Sequence, residues 1–168
     1  MIVTIANIIA ILGCILMVAV GYIKNKKTAL IVQVIQMILL SITDLLLGSI
    51  TGTLINILGI IRNILCYKNS LSKISIALII IASVYFGYSH NTLGFIGLLP
   101  VINNIVFILF INTKSKVGFK ILIIFSMILW FIHDLYIKSY VTALFDIFTI
   151  ISSVISIVQI KKRLISLF

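Results

Sequence analysis

The sequence predicts an all-α integral membrane protein of seven transmembrane helices, and three observations carry that prediction. The chain has 168 residues, of which 62% are apolar and only 10% charged. A soluble domain averages roughly 25% charged residues because its surface faces water, so this chain needs the bilayer as a second solvent. The apolar residues fall into seven runs near spanning length, and the basic residues cluster between alternate runs.

The runs cover 2–23, 28–47, 50–67, 74–88, 95–111, 121–137 and 140–160. A helix needs about 20 mainly apolar residues to cross the hydrocarbon core, and only the fourth run falls clearly short. The first lacks a basic leader region and reads as a retained helix, not a cleaved signal. The second and third are separated by a tight turn around Gly48-Ser49. Continuous apolarity, without period-2 alternation, excludes an outer-membrane barrel. Cys14 and Cys66 lie inside apolar runs without partners at metal-ligand spacing and read as small buried hydrophobes. No cofactor, metal centre or catalytic constellation is predicted, so the chain is not read as an enzyme.

The net charge of +10 does not point to nucleic acid, because the lysines sit at the ends of apolar runs. Lys24, Lys26 and Lys27, then Lys68 and Lys73, then Lys114, Lys116 and Lys120, then Lys161, Lys162 and Arg163 mark one side. Only Lys138 falls on the other. By the positive-inside rule this predicts a multi-pass cell-membrane protein with its N-terminus outside and its C-terminus cytoplasmic, in contact with anionic lipid. The Ile- and Lys-rich composition suggests a bacterium.

Sliding the chain on itself by 90 residues overlays 24–69 on 114–159 without a gap. Identities include Lys24/Lys114, Lys26/Lys116, Ser49/Ser139 and Asp44/Asp134, the last notable because the chain holds only three acids. The prediction is one transmembrane domain built as repeat one (about 2–67), a linker helix (about 74–88) and repeat two (about 95–160). A single linking helix makes the repeats parallel, the 3+1+3 arrangement of SWEET-like transporters, with a solute site between repeats near the midplane.

Polar residues inside a bilayer are expensive, so their grouping selects candidates. Gly52, Asn56, Gly59 and Asn63 form one stripe of the third run; Thr142, Asp146, Thr149 and Ser153 form the repeat-related stripe of the seventh. The Gly and Ser members suit helix packing, whereas Asn56 and Asp146 suit a polar cavity. The candidate solute-binding set is therefore Asn56, Asn63, Asp146, Thr149 and Ser153. His133 shares a face with Ser126 and Trp130, points away from Asp134, and lies at the depth of Asp146. His133 and Asp146 are thus a candidate proton-coupling pair, or alternatively a structural hydrogen bond. Asp44 and Asp134 read as interfacial charges, Asp134 suiting an ion pair with Lys138. Arg62 either snorkels to the headgroups or stays inside as an anion-binding group. Pro100, the only proline, is a candidate hinge whose freed carbonyl Asn103 and Asn104 could satisfy.

Leu99-Pro100-Val101-Ile102, Ile57-Leu58 with Ile61-Arg62, Ile132-His133, and the acid Asp146 thirteen residues after that His resemble the YgjV family of bacterial inner membrane proteins. The resemblance runs over nearly the whole chain. It implies an inner-membrane location and a relation to the SWEET and PQ-loop superfamily, but lends no activity. The Pro-Gln signature and paired prolines of that superfamily are absent. The expected function is transport of a small polar solute between two three-helix units. The alternative is a scaffold, assembly partner or sensor that keeps the fold. Substrate and oligomeric state are not legible.

Overall fold

The structure is a computed structural model that describes residues 2–137 and 139–165, with side chains within 4–162. Lys138, its pairing with Asp134, and the side chain of Arg163 lie outside the described residues. The chain forms α1 (Ile2–Tyr22), α2 (Lys26–Leu46), α3 (Ile50–Tyr67), α4 (Lys73–Ser89), α5 (Phe95–Phe110), α6 (Lys116–Tyr136) and α7 (Tyr140–Ile165). Five of them, α1, α2, α3, α6 and α7, are long and apolar enough to cross a membrane. Helices α4 and α5, with 17 and 16 residues, are shorter apolar helices. At 1.5 Å per residue they reach only about 25 Å, against a hydrocarbon core of about 30 Å.

Short polar side chains start the helices. The Asn25 side chain accepts from the backbone N–H groups of Lys27 and Thr28 to open α2, and Ser115 accepts from Gly118 N–H to open α6. Ser72 and Ser75 form a capping box on α4. Each of these satisfies N–H groups that a helix leaves orphaned. Helix α2 ends through Gly48, whose φ of +82° lies in the region glycine enters without penalty. Ser49 N–H then donates to Asp44 O at 2.8 Å, closing the tight turn into α3.

Six helices form a ring in the order α1, α2, α3, α5, α6, α7, which closes back on α1; α4 packs outside against α3 and α5. Gly21 lets α1 approach α7 closely, since a Cβ there would collide with the side chain of Ser152. Large apolar residues such as Ile8, Ile81, Phe110 and Phe148 face outward, while the buried interior holds as many polar as apolar side chains. That inversion is what an apolar external solvent permits.

One sequence expectation is corrected here. Lys120 was placed in a loop; it lies inside α6 and is buried. Its Nζ donates to Val20 O at 2.7 Å and Gly21 O at 2.8 Å. Its long stem can run along apolar surface to the C-terminus of α1, where orphaned carbonyls and the helix dipole favour a cation.

Candidate functional site: a polar cavity inside the ring

The ring encloses a cavity of about 40 Å³. A water needs roughly 10–15 Å³ of such space, so the cavity has room for about three. Helical spacing builds its wall. Gln33, Gln36, Leu40 and Asp44 come from one face of α2, Ser126, Trp130 and Asp134 from one face of α6, and Thr142, Asp146 and Thr149 from one face of α7. Helix α3 adds Asn56 and Arg62, and α5 adds Phe107. All three acids of the chain therefore line one space.

The three carboxylates are not equivalent. Asp44 Oδ2 accepts from Asn56 Nδ2 at 2.9 Å. Asp134 Oδ1 lies 3.2 Å from His133 Nδ1, leaving its Oδ2 without a partner among the described residues. Asp146 is fully buried, and neither of its oxygens has a hydrogen-bond partner among the described residues. Arg62 is the cationic counterpart. It is 1% exposed, and Nη1 donates to Asn104 Oδ1 at 2.6 Å and Nε to Asn63 Oδ1 at 3.1 Å. Its guanidinium also sits 4.2 Å from the centroid of the Phe107 ring. It has no carboxylate partner among the described residues.

Two wider pockets lie at the ends of the bundle. One, of about 550 Å³, gathers the α2–α3, α4–α5 and α6–α7 junctions, with Ser49, His90, His133, Tyr136 and Tyr140 in its wall. His133 lines this vestibule and its bonded neighbour Asp134 lines the central cavity, so the pair joins the two spaces. The other, of about 440 Å³, gathers the α1–α2, α3–α4 and α5–α6 junctions and is basic, with Lys26, Lys27 and Lys114. Towards this end aromatic and basic side chains pack across the interior. Phe107 and Phe119 stack edge to face at 6.3 Å, Lys26 Nζ sits 5.9 Å over the Phe119 ring, and Lys120 caps α1.

Of the predicted site residues, Asn56, Asp146 and Thr149 line the cavity. Asn63 and Ser153 are buried but stand outside its wall. Asn63 donates to Gln33 Oε1 at 3.2 Å. Asn63 and Ser153 stand roughly 10 and 6 Å further along their helices than Asn56 and Thr149, past the end of this small space. His133 does not meet Asp146, contrary to expectation, and bonds its neighbour Asp134 instead. Residues one apart are splayed by 100°, but Nδ1 is the ring nitrogen nearest the backbone and the carboxylate swings back to it. Asp134 is buried, so its reading as an interfacial charge is also corrected; Trp130 at i−4 carries it onto the inner face. Asp44 likewise faces the cavity. Arg62 stays inside and does not snorkel. Pro100 stands in the second turn of α5, so the freed carbonyl is that of Ile96, near the helix start. Asn104 is committed to Arg62 and Ser83 rather than to that carbonyl, and Asn103 Oδ1 has no partner among the described residues.

Sequence reasoning missed Asp44, Asp134, Trp130 and Gln36 as cavity residues. The signal was present for the first two, since an acid identical in both halves of a chain with three acids is expensive to keep at a lipid boundary.

The family model Imp-YgjV, described as a bacterial inner membrane protein, matches residues 4–164. The chain belongs to that family, and with its apolar helices it is a multi-pass protein of a bacterial inner membrane. No curated protein and no solved structure matches it.

Proposed function

We propose that this Imp-YgjV family protein carries a small polar solute across the inner membrane by opening the central cavity to each side in turn. The observation that carries this reading is the placement of all three acids and the buried Arg62 around one enclosed space. A charge in the membrane interior is costly and is retained where it faces a partner or a pathway. A scaffold would gain from filling that space with apolar side chains. The same reading makes the protein a carrier and not an enzyme.

The moving parts are two parallel three-helix repeats, α1–α3 and α5–α7, with α4 as linker and all seven helices within the bilayer. Several features support the 90-residue offset. Helices α2 and α6 begin at Lys26 and Lys116 and end at Leu46 and Tyr136; their N-caps are Asn25 and Ser115. Ser49 N–H donates to Asp44 O and Ser139 N–H to Asp134 O, both at 2.8 Å. The ring of neighbours also maps onto itself when α1, α2 and α3 exchange with α5, α6 and α7, the α1–α7 contact exchanging with α5–α3.

A proton is the coupling ion in this reading, loaded on Asp146, with His133 and Asp134 as its route from the vestibule. The other charged groups of the cavity wall are Asp44 from α2 and Arg62 from α3, and Cys14 of α1 lies near Asp146; α5 presents none among the described residues. The N-terminus is external and the lysine-rich end cytoplasmic. The small cavity volume favours the rival reading, a non-transporting scaffold or sensor, and one experiment separates them. The purified protein in sealed vesicles is given a panel of labelled polar solutes under a pH gradient. Accumulation of one of them above protein-free vesicles is expected; no accumulation across the panel leaves the scaffold.

A further inference from the structure

The partners inside the cavity form an incomplete set. Asp44 has the Asn56 amide, and Asp134 has His133. Asp146 has no donor, and Arg62, held only by side-chain amides and an aromatic face, has no anion among the described residues. A proton answers the first deficit and leaves the second. A metal ion is not indicated, since among the described residues no three His, Cys, Asp or Glu side chains are disposed around one point. A ligand carrying both charges answers both.

The spacing agrees. Helices α3 and α7 begin at the same end of the bundle, and at 1.5 Å per residue Arg62 lies roughly 9 Å deeper than Asp146. The Arg62 guanidinium reaches back about a turn, its Nη2 lying 3.6 Å from where a Cβ on Gly59 would stand, which shortens that gap. Two hydrogen bonds of about 2.8 Å then leave a few ångströms for the ligand's own span, the separation of an ammonium and a carboxylate on a short carbon chain. Trp130, the only tryptophan, lines the same cavity, and an indole ring attracts a cation brought over its face.

Resting on the transport reading of this cavity, we infer that its solute is a small zwitterion of the amino-acid type. Its ammonium is taken by Asp146 with the free oxygen of Asp134, and its carboxylate by Arg62. The cavity expands from its present volume to admit it, and the ammonium displaces the proton that Asp146 carries otherwise.

The test is calorimetric titration of the full chain in lipid nanodiscs with glycine, β-alanine and γ-aminobutyrate. Ethylamine and propionate serve as single-charge probes. At least one amino acid should bind about tenfold or more tightly than both single-charge probes, with an optimum in the length series that reports the span. Binding heats in buffers of different ionisation enthalpy should show proton release. Asp146→Asn should lose amino-acid affinity by about tenfold or more with propionate affinity unchanged, and Arg62→Lys should lower amino-acid and propionate affinity together. Ethylamine or propionate binding as tightly as the amino acids overturns the inference. So does the absence of amino-acid binding to wild-type protein that melts cooperatively. Uptake of a neutral solute by vesicles without amino-acid binding removes this inference and leaves transport standing; zwitterion binding without uptake does the reverse.

Discussion

At the scale of single residues, the two halves of the cavity wall differ by one atom type with a large consequence. Asn56 donates to Asp44; at the positions 90 residues further on stand Asp146 and Asp134, two acids with no amide between them. An unsatisfied buried polar group costs about 1–3 kcal/mol, more when charged. Asp146→Asn converts the second pair into the chemistry of the first and is expected to raise stability by about 1 kcal/mol, read as a higher melting temperature in detergent. A fall in melting temperature would mean that Asp146 is already satisfied. A higher melting temperature together with lost amino-acid binding would set stability against function at this position, as functional strain predicts. The sequence identified Asn56, Asp146 and Thr149 through helical spacing alone. It misplaced His133 because period arithmetic fixes the direction of a Cβ, and the hydrogen bond to Asp134 is decided by rotation further out along both side chains.

At the scale of helices, what holds the ends matters as much as what lines the faces. Two lysines reach helix C-termini in the other half of the chain: Lys120 of α6 caps α1, and Lys26 of α2 reaches Thr113 O beyond α5 at 3.4 Å. These contacts fasten the two halves together at the lysine end, on the side where Phe107 and Phe119 pack edge to face. Hydrogen bonds to charged groups contribute about 1.5–3 kcal/mol each. Lys120→Met keeps the apolar stem and removes both bonds. It is expected to cost about 3–6 kcal/mol and to increase thiol-reagent access to the buried native Cys14. An unchanged melting temperature with unchanged access would show that the cap is incidental. The helix boundaries were legible in the sequence within a few residues, because apolar runs and small polar caps are local signals. The ring order was not, since every apolar face packs equally well against another. Lys120 was misread for the same reason: its partner carbonyls lie a hundred residues away.

For the whole molecule, the asymmetry of charge read from the sequence becomes an asymmetry of space. The α1–α2, α3–α4 and α5–α6 junctions converge on one pocket that carries Lys26, Lys27 and Lys114. The three opposite junctions converge on the vestibule, whose described lining holds no lysine or arginine. A cluster of basic residues is retained on the cytoplasmic face during insertion and attracted by anionic headgroups there, so the lysine pocket is predicted to face the cytoplasm and the vestibule the periplasm. The shortness of α4 and α5 gives this prediction its sharpest test. With the N-terminus external, failure of α4 alone would put the loop 90–94 in the cytoplasm and the end of α7 outside, failure of α5 alone would put both outside, and failure of both would put both in the cytoplasm. A reporter active only in the cytoplasm is therefore expected to work when fused after α7 and to fail when inserted in 90–94. Three lysines added to that loop should lower the yield of correctly inserted protein, because they remove the asymmetry that orients the chain. Cytoplasmic activity at both positions would reduce the bundle to fewer crossings, put His90 and His133 of the vestibule wall on opposite faces of the membrane, and dismantle the two-repeat reading with them.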